Sequence, residues 1–226
     1  MAKQIYKYGT LYYPNETNRK NFFCLKTEVD VYQEYINDVV KKYAKKDSLI
    51  LDVGANVGIF TISFSKLFPS STIYSFECVA STKEYLEKNI RENKCENVVI
   101  HDFALSDKNE ETEITFNKDN IGNASIKLKP GDTDERIKIQ TKKLDELNLS
   151  NISFIKVDIE DHEYEFMLGA KETLKNNDPF VILELKNRNE FEKELFTKCS
   201  NFMENLGYKH KIKLGRKDWG FSKTKL

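Results

Sequence analysis

A dense group of ionisable side chains lies at positions 158–163, and a further carboxylate lies at Glu184. Asp158, Glu160 and His162 can each accept a proton, because carboxylates are ionised at neutral pH and an imidazole titrates at about pH 6.5. Asp158, Glu160 and Glu184 could also hold a hard cation through oxygen ligands. In the alternative interpretation they orient a ligand or cap the next helix, and a divalent metal is not favoured. We predict an acidic rim whose catalytic residues are Asp158, Glu160, His162 and Glu184.

A glycine-containing segment at 49–60 is the second candidate site. Gly54 allows a tight turn after an apolar run, and Gly58 allows the following helix to begin close to a ligand. Asn56 stands where the dinucleotide fingerprint requires its second glycine, so a diphosphate is disfavoured. Asp52 places a carboxylate where a positively charged group would be bound. The segment therefore favours a ligand with a cationic group and no phosphates.

Glu77 follows Gly54 at close to the offset of about 20 residues at which an acidic side chain binds ribose hydroxyls. A ribose at Glu77 and a cationic group near Asp52 together describe a nucleoside with a cationic tail. S-adenosylmethionine is such a molecule, and S-adenosylhomocysteine is what remains after its methyl group has been transferred. We therefore predict S-adenosylmethionine as the cofactor.

These residues are predicted to lie at the ends of strands in a parallel sheet. Short apolar runs at 49–53, 72–76, 97–100, 153–157 and 180–185 alternate with amphipathic segments at 58–68, 81–93, 163–175 and 190–206. This alternation predicts a doubly wound α/β fold with helices on both faces of the sheet. The segments 208–214 and 218–222 predict a closing hairpin, which would add one antiparallel strand.

Two regions differ from this alternation. Polar and apolar residues alternate within 104–141, which predicts antiparallel hairpins. An apolar stripe at every fourth residue from Val31 to Tyr43 predicts a helix, and the residues before it show no clear periodicity. We therefore divide the chain into an N-terminal extension with its helix, 1–46, as a candidate cover on the substrate side, and a main domain, 47–226.

Four motifs follow one another between positions 46 and 185. They are Leu51–Gly58, Phe76-Glu77, Ala104–Asp107 and Phe154–Glu160, the last followed by Glu163, Gly169-Ala170 and Glu184. These motifs resemble those of the FkbM-type methyltransferases, which are class I S-adenosylmethionine-dependent O-methyltransferases. The resemblance implies a Rossmann-like, seven-stranded, mostly parallel sheet with one antiparallel strand.

The resemblance also implies a set of cofactor-binding residues. They are Asp52, Gly54, Ala55, Asn56, Gly58, Glu77, Cys78, Asp102, Phe103 and Ala104. By this carry-over the residues of the glycine turn line the methionine moiety, Glu77 accepts from the ribose hydroxyls, and Asp102-Phe103 frames the adenine. The alternative for the last pair is that Asp102 caps a turn and Phe103 belongs to the core. The chain departs from the family at Cys78, where Pro is common, and at Asp161-His162, where Gly-Ala is common.

Composition excludes several other classes of protein. The chain has 36 Lys+Arg and 36 Asp+Glu residues, and this balance argues against wrapping of a phosphate backbone, so no nucleic-acid partner is expected. The apolar runs are far shorter than the roughly 18 residues of a membrane span. The first residues lack the apolar core of a secretory signal, and the four cysteines are widely spaced. Together these features predict isolated thiols and a cytoplasmic location.

The predicted activity is methyl transfer to a hydroxyl of a sugar in a glycan or glycoside. The acceptor rests on the resemblance, and a lipid or polyketide-type natural product is the alternative within it. An RNA or protein methyltransferase, suggested by the basic C-terminal residues, and a catalytically silent nucleoside-binding module also remain open. Asp52 and Asn56 disfavour a nicotinamide-dependent oxidoreductase. The chain is compatible with being part of, or associated with, a glycosyltransferase.

Overall fold

The computed structural model of the protein describes residues 1–14, 28–117, 120–125, 134–215 and 217–225. Residues 15–27 of the predicted N-terminal extension, and 118–119 and 126–133 of the predicted hairpin region, lie outside the described residues. The helices are α1 Glu28–Tyr43, α2 Ile59–Leu67, α3 Ala80–Glu92, α4 Glu163–Gly169, α5 Lys171–Asn177 and α6 Glu190–Asn205, with a short 3-10 helix at Leu144–Leu147. The strands are β1 Ala2–Tyr6, β2 Gly9–Tyr13, β3 Leu49–Val53, β4 Thr72–Phe76, β5 Val98–His101, β6 Ala104–Leu105, β7 Glu110–Asn117, β8 Asn120–Ser125, β9 Asp134–Lys142, β10 Ile152–Val157, β11 Phe180–Glu184, β12 His210–Lys213 and β13 Asp218–Ser222.

The central sheet has seven strands within the described residues, in the order β12-β13-β11-β10-β3-β4-β5. The pairs from β11 to β5 are parallel, whereas β13 runs antiparallel to both of its neighbours. The predicted doubly wound, mostly parallel sheet with one antiparallel strand is therefore confirmed. The strand order reverses between β3 and β10, and in open α/β sheets ligands bind at such a point, beyond the carboxyl ends of the strands.

Apolar side chains cover both faces of this sheet. In β3, Leu51 and Val53 belong to the core that packs under α4, α5 and α6, whereas Ile50 belongs to the core under α1 and α2. Successive side chains of a strand point to opposite faces, so a continuous apolar run is what a strand buried on both sides requires. The short apolar runs of the sequence therefore fold as strands of this sheet and position the loops at their carboxyl ends.

A second sheet, of order β6-β9-β7-β8, is inserted between β5 and β10. The antiparallel pairing of β7 with β8 and β9 confirms the predicted hairpins, while β6 pairs with β9 in parallel. Ile114 and Ile139 of this sheet pack in one apolar cluster with Val57 and Val79 of the main domain. The inserted sheet therefore lies against the loops that follow β3 and β4.

The N-terminal residues form an antiparallel hairpin of β1 and β2, which the sequence did not predict. Side chains of α3 hold it, because the backbone N–H groups of Tyr12 and Thr10 donate to the Oδ1 atoms of Asn89 and Asn93 at 2.7 and 2.8 Å. Leu11 of the hairpin belongs to the same apolar cluster as Val57. The role of 1–46 as a cover on the substrate side stays a prediction.

The helix predicted at 163–175 is two helices, and this prediction was wrong in its continuity. Ala170 separates α4 from α5 with a non-helical backbone (φ −113°, ψ 8°). The preceding Gly169 packs so closely that a Cβ atom there would lie 1.9 Å from the carbonyl oxygen of Ser106. Close packing at a residue of low helix propensity accounts for the break.

No helix in the described ranges is long and apolar enough to cross a membrane. Cys78 and Cys95 are free thiols, Cys199 is buried in the core, and Cys24 lies outside the described residues.

Candidate active site

An open cleft lies at the carboxyl ends of β3, β4 and β10, with about 690 Å³ of empty space that is partly open to solvent. Its lining residues are Val53, Gly54, Asn56, Phe76, Glu77, Cys78, Val79, Phe103, Ala104, Leu105, Ile114, Ile139, Asp158, Ile159, Glu160 and His162. Apolar side chains gather near Val79 and Ile139, and carboxylates gather near Asp158. The cleft therefore has one apolar and one ionic end.

The turn after β3 is fixed between its two neighbouring strands. Gly54 has φ +81°, a conformation that residues with a side chain rarely adopt, and a Cβ atom there would lie 1.9 Å from the carbonyl oxygen of Asp158. The N–H groups of Gly54 and Ala55 donate to the carbonyl oxygen of Phe76 at 3.1 and 3.0 Å. Glycine is therefore required at position 54 by both backbone conformation and close packing.

Glu77 lies at the start of the loop after β4, with its carboxylate against two backbone segments. Oε2 accepts from the N–H of Asn56 at 3.0 Å, and Oε1 accepts from the N–H of Val79 at 2.8 Å. Burial raises the pKa of this carboxyl to about 7, while the bond from Val79 opposes that change. A carboxylate has about four acceptor positions, so Glu77 retains capacity for hydroxyl donors in the cleft. The glycine cradle and this acceptor fit a nucleoside.

Part of the predicted cofactor set lines the cleft, namely Gly54, Asn56, Glu77, Cys78, Phe103 and Ala104. Asp52, Ala55, Gly58 and Asp102 do not line it. Asp52 is 1% exposed, and its Oδ2 accepts a hydrogen bond from Thr61 Oγ1 at 2.6 Å below the turn. The side chain of Asp102 is 72% exposed and lies 3.5 Å from Lys83 Nζ. Phe103 is both buried in the core and in contact with the cleft.

The carboxylates of Asp158, Glu160 and Glu184 meet at the ionic end, with oxygen atoms within 4.8 Å of one another. Asp158 and Glu160 line the cleft, and Glu184 lies beside them at the end of β11. This trio is the predicted acidic cluster, and its spacing could accommodate a cation. Burial and the neighbouring Asp158 raise the pKa of Glu184 above its ordinary value, while Lys217 opposes this change.

Three lysines supply counter-charges to the trio, which corrects the expectation of a plainly acidic rim. Lys156 Nζ lies 3.1 Å from Asp158 Oδ2, Lys186 Nζ lies 2.5 Å from Glu160 Oε2, and Lys217 Nζ lies 3.1 Å from Glu184 Oε1. Burial alone would raise the pKa of Asp158, but Lys156, together with Lys217 and Lys186, outweighs burial and lowers it. The rim is thus close to charge-balanced, and Lys217 is a participant that the sequence reasoning missed.

The imidazole of His162 is oriented by protein groups on both sides. Its Nε2 forms a hydrogen bond with Ser106 Oγ at 3.0 Å, and its Nδ1 lies 3.5 Å from Glu165 Oε2. Because both ring nitrogens face these groups, the ring forms part of the cleft wall. In this arrangement Asp158 and Glu160 are better placed than His162 to take a proton from a ligand.

Residues 52–210 match the family model described as the methyltransferase FkbM domain. "Methyltransferase 1" of Beauveria bassiana is 24% identical over 195 residues, covering 76% of each chain. The solved structure of methyltransferase FkbM from Methylobacillus flagellatus has a TM-score of 0.56 at 11% identity, covering 92% of this chain, which spans 55% of that one. The Streptococcus mutans protein SMU.1697c, in complex with SAH (S-adenosylhomocysteine), has a TM-score of 0.53 at 10% identity, covering 84% of this chain and 94% of its own.

Proposed function

Because the chain belongs to the FkbM methyltransferase family, we propose that it transfers the methyl group of S-adenosylmethionine to a hydroxyl of a sugar in a glycan or glycoside. The observation that supports this proposal is that one cleft contains both a candidate ribose-binding residue and a pair of candidate proton acceptors. Glu77 offers acceptors for a ribose, and the Asp158–Glu160 pair offers acceptors for a hydroxyl proton. Both lie at the carboxyl edge of the parallel sheet, where the strand order reverses.

The cofactor would lie along the cleft with its nucleoside at the apolar end. Bound there, S-adenosylmethionine supplies a methyl group on a positively charged sulfur. Glu77 would accept from the ribose hydroxyls, while Phe103, Ile114 and Ile139 would pack against the base. The turn at Gly54 leaves room for the chain of the cofactor to pass toward Asp158.

Asp158 and Glu160 would orient the acceptor hydroxyl and receive its proton. The acceptor oxygen forms a bond to the methyl carbon as the bond from that carbon to sulfur breaks, and the hydroxyl proton leaves through a carboxylate to solvent. Lys156 favours the ionised form of Asp158, so that this carboxylate is ready to accept. Alignment of the reacting groups supplies much of the rate in such a displacement.

The charge balance of the rim supports an uncharged acceptor rich in hydroxyls. Each carboxylate of the trio already has a lysine within 3.1 Å, so neither a cationic nor a phosphate-rich acceptor would find a net opposite charge there. Carboxylates and ammonium groups together offer both acceptors and donors, which sugar hydroxyls can use. Association with a glycosyltransferase, which would deliver such acceptors, and a cytoplasmic location belong to the same proposal.

A methyl-transfer assay tests this function. The protein is incubated with S-adenosylmethionine labelled in its methyl group and with separate pools of glycosides, lipid and polyketide-type alcohols, RNA and peptides. We expect labelled methyl ether on a glycoside, and a loss of about 100-fold or more in Glu160→Gln at saturating cofactor. Glu190→Gln, which changes an exposed carboxylate on α6, is the control and keeps full activity.

Label on lipid, RNA or peptide alone would overturn the sugar acceptor but leave the methyltransferase intact. Normal turnover by Glu160→Gln would remove Glu160 from the proposed mechanism. Binding of S-adenosylhomocysteine with no transfer to any pool would favour the silent nucleoside-binding module.

A further inference from the structure

The turn that follows β10 has an unusual backbone. Glu160 and Asp161 have φ values of +50° and +72°, so two consecutive residues with side chains adopt the left-handed conformation. This conformation is disfavoured outside glycine, and in native structures it persists only where the surroundings hold it. Because both residues carry side chains, this turn requires a compensating contact.

Lys186, which follows β11, supplies such a contact. Its Nζ lies 2.5 Å from Glu160 Oε2 and 3.6 Å from Asp161 Oδ1, so one ammonium group contacts the side chains of both left-handed residues. It also lies 3.8 Å from Glu184 Oε1. The side chain of Lys186 is only 9% exposed, so these interactions are weakly screened by solvent.

Other contacts fix the two ends of the turn but involve different atoms. Glu163 Oε1 accepts from the N–H of Ile159 at 3.3 Å, and Ser106 bonds to His162 at 3.0 Å. Neither contact engages the carboxylates of Glu160 and Asp161. Lys186, by contrast, contacts both of these carboxylates from the segment that follows β11.

We propose that Lys186 is a positioning residue that clamps the left-handed turn Glu160–Asp161 and thereby holds the Glu160 carboxylate at the ionic end of the cleft. The consequence for catalysis rests on the proposed function, because it assumes that Glu160 faces the acceptor hydroxyl. The clamp itself is a property of the folded chain and is measurable without cofactor or acceptor.

The test compares Lys186→Met, which keeps the unbranched side chain up to its fourth atom but removes the ammonium group, with Lys186→Arg, which restores a cation. Lys193→Met is the matched control, since it removes an ion pair of 2.8 Å to Glu190 on the surface of α6. Amide hydrogen exchange is measured at residues 159–162 in the free protein. We expect exchange about tenfold faster or more in Lys186→Met and near wild-type rates in Lys186→Arg and Lys193→Met.

Wild-type exchange in Lys186→Met overturns the clamp, as does an arginine variant that exchanges as fast as the methionine variant. If Lys186→Met does not fold, Lys186→Gln takes its place with the same two outcomes. Where the assay above identifies an acceptor, we expect kcat to fall about tenfold in Lys186→Met while the KM for S-adenosylmethionine changes by less than about threefold. Failure to find any acceptor would count against the proposed function. The role of Lys186 in the turn would then be tested by the hydrogen-exchange result alone.

Discussion

Replacement of Gly54 by alanine tests the geometry of the cleft at its tightest point. The added Cβ atom would lie 1.9 Å from the carbonyl oxygen of Asp158 and 3.1 Å from Ile159 Cγ2, so the contact with Asp158 must open by about 1.5 Å to reach an ordinary 3.4 Å. The left-handed backbone costs alanine roughly 1–2 kcal/mol, and overpacking adds about 1–3 kcal/mol. We therefore expect Gly54→Ala to lower the free energy of unfolding by roughly 2–5 kcal/mol.

The same movement should damage the ligand site, because Asp158 and Ile159 line the cleft. A displacement of about 1 Å at a positioned group costs on the order of 100-fold, so we expect at least that loss in affinity for S-adenosylhomocysteine. Gly207→Ala is the matched control. Gly207 has a similar φ of +92°, but a Cβ atom there would meet nothing closer than Lys223 Cδ at 3.9 Å.

Urea denaturation and calorimetric titration with S-adenosylhomocysteine measure the two effects. The control should lose only the roughly 1–2 kcal/mol of backbone strain and should bind as the wild type does. The reasoning is refuted if Gly54→Ala binds within about threefold of the wild type and is no less stable than Gly207→Ala.

Three further predictions concern buried ionisable groups. Burial raises the pKa of Glu163 from its ordinary value of 4.5 to about 8, so between these two pH values the folded state binds more protons than the unfolded state and stability falls as pH rises. Glu163→Gln should reduce this slope by about 1.4 kcal/mol per pH unit, as measured by urea unfolding from pH 5 to 8. The pKa of Glu77 is about 7, so this carboxylate becomes protonated below pH 7 and the affinity for S-adenosylhomocysteine should fall by up to about tenfold per pH unit. Calorimetry should show a weaker pH dependence of this affinity in Glu77→Gln. Lys156→Met removes a buried cation that is shared by the buried Asp52 and the partly exposed Asp158, and it should cost about 3–5 kcal/mol in chemical denaturation. A loss below about 1 kcal/mol would contradict the role given to this lysine.

The arrangement of Gly54, Asn56 and Glu77 at the cleft could be predicted because its signals are local in the sequence. Gly54, Asn56 and Glu77 belong to one strand-turn-helix-strand unit, in which residue type and spacing define the geometry. The orientation of the Asp52 side chain could also have been predicted, because successive side chains along a strand point to opposite faces of the sheet. Asp52 lies between Leu51 and Val53, which face the core under α4–α6, so its side chain points to the opposite face.

The ionic end of the cleft was harder to predict because its charged residues come from separate parts of the chain. Lys186 and Lys217 follow different elements, and only the order of the sheet brings them to Glu160 and Glu184. The hairpin of β1 and β2 was missed for a similar reason. Asn89 lies 77 residues after its partner Tyr12, and Asn93 lies 83 residues after its partner Thr10. A local pattern in the sequence cannot indicate contacts over such separations.

The central claim is that the cleft binds a nucleoside carrying a methionine-derived tail rather than a dinucleotide. Calorimetric titration of the wild-type protein with S-adenosylhomocysteine and, separately, with NAD tests it most directly. We expect saturable binding of S-adenosylhomocysteine at one site per chain and no heat of binding from NAD. Binding of NAD, or no binding of S-adenosylhomocysteine by the folded protein, would contradict the account.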